Sequence, residues 1–170
     1  PWSGRPTAVV LNNLEGALPQ HGVSMADVLF ELETEGGITR MLAVYSDISK
    51  VDAIGPVRSA RTFFNDLACS FGAPLVHCGG SPYALQAQHD YAGNVISGWE
   101  HINEQSNGKY FFRDHDRYNN QGYNWEHTLF TTGEKLIAAM ADKEYAMVSN
   151  TEVNYGLQFA DVVESADTLA

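Results

Sequence analysis

The stretch GPVRSARTFFNDLACSFGAPLVHCGGSP, Gly55–Pro82, decides how this chain is read. Its first half carries Val57, Ala60, Phe64, Leu67 and Phe71 at helical spacing, with Pro56 at a first helical position and Gly72 just past the end. That asymmetry predicts a helix over Pro56–Phe71. Pro74–Cys78 (PLVHC) is short and apolar and reads as a buried strand. Gly79, Gly80, Ser81 and Pro82 then supply a tight loop, a capping serine and a first-position proline, opening a second helix to about Tyr91. Helices alternating with a buried strand point to an α/β domain.

Working outward, Thr7–Leu11 (TAVVL) reads as a first buried strand that stops at Asn12 and Asn13, and Leu18–Gly22 reads as a loop. Asp27–Thr34 and Ile38–Tyr45 flank Gly36 and Gly37 and predict a hairpin. With the glycine pair as the loop, Thr34 faces Thr39, Glu33 faces Arg40, and Glu31, Glu33 and Glu35 form an acidic stripe on one face. The alternative is a helix starting at Ser24, with Met25, Val28, Leu29 and Leu32 on one side. Gly93–Asn124 is polar and aperiodic and reads as long surface loops, with one short strand at Tyr110–Phe112. Thr128–Thr132 predicts a strand, and Gly133–Tyr145 an amphipathic helix with Leu136, Ile137 and Met140 inward. The expected fold is α/β: a mixed, partly parallel sheet with flanking helices and an antiparallel hairpin.

At 170 residues and 44% apolar content the chain is long enough to bury one sizeable core. A net charge of -11 and a sequence pI near 4.8 argue against nucleic-acid or anionic-membrane surfaces, which rely on Lys and Arg to displace counterions. Cys69 and Cys78 are too few for a disulfide framework and lack the paired spacing of a structural zinc site. A single disulfide between them and two buried thiols are the alternatives. No motif for a cofactor or metal stands out.

Placed in the first turns of a helix, Arg58 and Arg61 would lie three residues apart on one face, at the end where the helix dipole is positive. Such an arrangement calls for a nearby anion, either one of the protein's own carboxylates or a ligand held by the two guanidinium groups, Ser59 and backbone amides. Arg40 belongs to the same region if the hairpin packs there. Gly79, Gly80 and Ser81 place amides beyond the carboxyl end of a strand, where open α/β sheets bind ligands. Glu31 or Glu35 with His77 would be the acid and base of a hydrolase, provided that they converge on one cleft with Arg58. His77 is otherwise a satisfied buried histidine. The run Arg113, Asp114, His115, Asp116, Arg117 mixes signs and reads as a self-neutralising loop network. Trp99, Tyr118, Tyr123 and Trp125 form either an aromatic platform or packing under the loops. Three functional readings follow: a receptor for an anionic ligand or acidic partner, a hydrolase of a phosphodiester or glycan, and a structural domain with internally paired charges.

Several short motifs in order resemble the YerB-like family of bacterial lipoproteins. They are Arg5 and Pro6; Pro19, Gln20 and Gly22; Ala26, Asp27 and Glu31; Glu35–Arg40 (EGGITR); Gly55–Arg61 (GPVRSAR); and His77 with Gly79 and Gly80. Together they cover most of residues 5 to 81. The chain departs from the family pattern at Leu18, where Arg commonly precedes Pro-Gln, and at Glu126, His127 and Thr128, where Pro-His-Asn is common. The resemblance implies an extracytoplasmic protein, anchored to the membrane by lipid in its full-length form, with an export segment before this domain and a second domain after it. It also implies a domain over residues 1–156, with 157–170 opening a linker or second domain. An anionic cell-wall fragment or another envelope protein is then the natural partner. No catalytic residues come with the resemblance.

Overall fold

The computed structural model describes residues 4–94, 100–103 and 108–147. Trp99 and the proposed boundary at residue 157 lie outside the described residues. Seven strands and four α-helices are present among those described: β1 (Thr7–Asn12), β2 (Val28–Glu33), β3 (Thr39–Tyr45), α1 (Thr62–Ser70), β4 (Leu75–His77), α2 (Pro82–Asn94), β5 (His101–Asn103), β6 (Phe112–Arg113), α3 (His115–Asn119), β7 (Leu129–Phe130) and α4 (Gly133–Asp142). The main sheet has the order β2-β3-β1-β4-β5, and β6 and β7 form a separate antiparallel pair. β1 runs antiparallel to β3 and parallel to β4, and β5 extends the parallel half. This is the mixed α/β sheet that the alternation of elements predicts.

Residues alternate between two cores across the central strand. Ala8 and Val10 join Leu42, Val44 and Leu75 beneath Phe64, Ala68 and Phe71 on the α1 side. Val9 and Leu11 join Ala43, Tyr45 and Val76 on the other side, against Leu136, Ala139 and Met140 of α4. Burying both faces of β1 explains its uninterrupted apolar run. Asn65, fully buried on α1, donates to the Ala84 carbonyl at 2.9 Å and accepts from Gln88, which ties α2 to α1. The Ser81 hydroxyl accepts from the Ala84 N–H and caps α2, as expected. Thr132 caps α4 in the same way.

Three expectations are corrected. First, the helix expected from Pro56 begins at Thr62, and the residues before Arg61 are extended. Second, the hairpin forms, and the helix from Ser24 does not, but its turn is longer than a glycine pair. Glu35–Gly37 makes a 3-10 turn with Gly36 and Gly37 at φ 72° and 71°. The register therefore slips by one, setting Leu32 against Arg40 and Glu33 against Thr39. A one-residue slip turns every side chain to the other face. Arg40 accordingly points inward and is 5% exposed, while Glu31 and Glu33 lie on the exposed face. Third, β5 lies within the stretch expected to be loop; it is only three residues long, too short to show periodicity. Both cysteines are free thiols, and burial raises the Cys69 pKa to about 11. No described helix is long and apolar enough to cross a membrane.

Candidate functional site

The segment before α1 is extended because other strands claim its hydrogen bonds. The Arg58 N–H donates to the Val10 carbonyl at 2.9 Å, the Val57 N–H to Leu129 at 2.8 Å, and the Asn12 N–H to Pro56 at 2.9 Å. On its other side the Arg58 carbonyl accepts from the Cys78 N–H at 2.9 Å, and the Ala60 N–H donates to Gly79 at 3.0 Å. The segment is therefore a wedge at the carboxyl ends of β1 and β4, where the two strands part. Val57 and Ala60 enter opposite cores, which an extended chain permits and one helix face does not.

A cleft of about 400 Å³ opens over this wedge. Arg58, Ser59, Gly79 and Gly80 line it together with Arg113, Trp125 and Glu126, and Val57, Cys78, Leu85 and Leu129 complete its walls. It lies beyond the carboxyl ends of parallel strands, the position at which open α/β sheets bind ligands. Arg58 is 19% exposed and pairs with Glu126 at 3.1 Å, the glutamate remaining half exposed. The Nε atom of Arg58 is buried without a hydrogen-bond partner. Among the described residues, the Ser59 and Gly80 N–H groups also donate to no acceptor. Arg113 donates to the Trp125 carbonyl at 2.8 Å and lies over the indole at 4.9 Å. Burial lowers the Arg113 pKa, and the nearby charge of Arg58 lowers it further.

The other predicted arginines stand behind the cleft. Arg40 donates to the Ser59 carbonyl at 2.8 Å and forms no salt bridge with a described residue. Burial brings its pKa down to about 10, reinforced by the charges of Arg61 and Arg58 and opposed by Glu35 and Glu126. Arg61 is the N-cap residue of α1; its guanidinium folds back to Glu35 as a two-pronged fork, with Nη2 to Oε2 at 2.7 Å. That fork holds the Glu35 pKa down at about 2. One acidic residue of the expected stripe thus neutralises Arg61, and Glu126, outside that stripe, neutralises Arg58.

The proposed acid and base do not share this cleft. Glu31 accepts from Asn13 and Thr39 on the exposed hairpin face, and Glu35 is engaged by Arg61. His77 is fully buried, with Nδ1 2.8 Å from the Gly79 carbonyl and Nε2 3.3 Å from His101 Nδ1. A carbonyl only accepts, so His77 Nδ1 carries the proton, Nε2 accepts, and His101 Nδ1 donates. Burial first, then the neighbouring His101, brings the His77 pKa to about 4, against the raising effect of Gly79. Its visible role is to anchor the glycine loop.

The sequence offers Trp125 as part of an aromatic platform, Arg113 only as part of a charged run and Glu126 only as a family departure; the cleft gathers all three. The charged run does not neutralise itself as a loop: Asp114 caps α3, Asp116 accepts from Asn120 and Gln121, and Arg117 donates to the carbonyls of Ala17 and Pro19. Tyr123 packs 4.0 Å under Arg117, whereas Tyr118 meets Trp125 edge to face at 5.2 Å. The family departure at Glu126 was the available signal for that residue. No group of three or more metal-ligating side chains occurs among the described residues.

Known proteins share this fold. A curated relative from Bacillus subtilis (strain 168), named "Putative lipoprotein YerB", is 43% identical over 94 residues, covering 55% of this chain and 28% of the relative. The crystal structure of YerB protein from Bacillus subtilis superposes with a TM-score of 0.71 at 32% identity, over 87% of this chain and 47% of that one. The chain thus spans less than half the length of either relative. A family model described as "Protein of unknown function (DUF3048) N-terminal domain" matches residues 2–146, and the chain belongs to that family.

Proposed function

We propose that this domain is an extracytoplasmic receptor for an anionic ligand, an acidic cell-wall fragment or an acidic segment of another envelope protein. The single observation that carries the reading is the state of Arg58: it lines an open cleft, its Nε is buried without a partner, and its other edge meets only a half-exposed glutamate. A buried unsatisfied donor on a charged group is costly unless something completes it. Ser59 and Gly80, whose amides have no acceptor among the described residues, line the same cleft, and Arg40 and Arg113 add positive charge around it in an otherwise acidic protein. The envelope address rests on the relative's name as a lipoprotein.

The test is thermal denaturation in acetate, phosphate and sulfate at constant ionic strength. A melting temperature that rises with one of these anions, and no longer does so in Arg58→Ala, supports the reading. An unchanged melt with all three overturns it.

A further inference from the structure

A bare phosphate or sulfate ion would use the donors of the cleft and leave its walls idle. Leu85, at the start of α2, and the indole of Trp125 are partly exposed apolar surfaces lining the same cleft as Arg58. Val57 and Leu129 form apolar ground between them. A guanidinium beside such walls fits a ligand whose negative charge and apolar surface lie a few bonds apart. The anion already held by Arg58 is itself a carboxylate on a peptide chain, Glu126 at 3.1 Å. The Ser59 and Gly80 amides match the remaining needs of a chain end, since terminal carboxylates are commonly captured by backbone N–H groups. At about 400 Å³ the cleft is near the small end of ligand sites, roughly 300–1,000 Å³, which suits a terminus more than a long segment.

We infer that the cleft receives the C-terminal end of a peptide, its carboxylate replacing Glu126 on Arg58 and its apolar last side chain resting against Leu85 and Trp125. This names the ligand class of the site proposed above and rests on that proposal.

Calorimetric titration of the folded domain tests it with N-acetyl-glycyl-leucine, its C-terminal amide, N-acetyl-glycyl-glycine and inorganic phosphate. The expected result is binding of the leucine acid at least tenfold tighter than its amide and several-fold tighter than the glycine acid. Leu85→Asn, at a partly exposed position, should erase the leucine preference while the protein still melts cooperatively. If phosphate binds in an Arg58-dependent way but acid and amide bind equally, the peptide-terminus inference fails and the anion-receptor reading stands. Equal binding of the leucine and glycine acids overturns the apolar subsite. If neither phosphate nor any peptide binds, both readings fall.

Discussion

Glu126 reaches Arg58 from a 3-10 turn of the opposite wall, so the cleft holds a carboxylate supplied by its own chain. Half of that glutamate is exposed, and an exposed ion pair stabilises a fold by about 1 kcal/mol or less. Glu126→Gln should therefore shift unfolding in denaturant by no more than that. The same substitution removes the resident competitor and should raise the affinity for acetate several-fold. Acetate titrations followed by melting temperature in both proteins check the pair of outcomes; an affinity that falls in the variant would make Glu126 part of the receptor instead of its competitor.

Arg40 offers a test of what the buried charge does. It is nearly enclosed, bonded to the Ser59 carbonyl, and faces the repulsion of Arg58 and Arg61. Replacing a poorly compensated buried charge by an apolar side chain of similar length is often neutral or stabilising. Arg40→Met should hold stability within about 1 kcal/mol of the parent or raise it, measured by urea denaturation, and should weaken anion binding by lowering the local positive potential.

The histidine pair predicts a pH profile. His77 is neutral in the folded protein down to about pH 4, whereas an unfolded histidine protonates near pH 6.5. Between those values the unfolded chain binds more protons, so the contribution is complete above about pH 6.5 and is lost as pH falls towards 4. His77 alone accounts for roughly 3 kcal/mol over that window, and burial shifts His101 in the same direction, helped by Lys143. His77→Asn, which retains a donor for Gly79, should flatten the profile measured by denaturation at pH 7, 5.5 and 4.5. An unchanged slope would locate the titration elsewhere.

Gly133 opens α4 directly against the backbone of Ile48, and a Cβ added there would collide with the Ile48 and Val51 carbonyls. Because the obstacle is main chain, it cannot swing aside. Gly133→Ala should cost on the order of 2–4 kcal/mol, visible as a lowered denaturant midpoint with an unchanged slope.

What the sequence discloses and what it conceals follow a physical division. β1, β3, β4 and the capped start of α2 were legible because local pattern and final environment agree: apolar strands are buried, and Ser81 caps the helix it precedes. Gly55–Arg61 was misread because its local signals favour helix while its hydrogen bonds go to Val10, Leu129, Cys78 and Gly79, residues far away in sequence. The hairpin was recognised but its register was not, since Gly36 and Gly37 serve a three-residue turn as readily as a two-residue one. Arg58, Ser59, Gly79 and Gly80 were identified as candidates and do share one cleft; Arg113, Trp125 and Glu126 complete it from a distant part of the chain, which no local spacing announces.

The wedge at residues 56–60 has one further consequence. The floor of the cleft is made of main-chain hydrogen bonds shared with β1 and the end of β4, so it cannot widen without tearing the central sheet. The opposite wall is a single 3-10 turn carrying Trp125 and Glu126. Such a receptor is preorganised on one side and adjustable on the other, which keeps the ordering cost of binding low. Amide hydrogens of Arg58 and Ala60 should exchange with solvent as slowly as those of the sheet itself, with or without an occupant, while those around Glu126 respond to it.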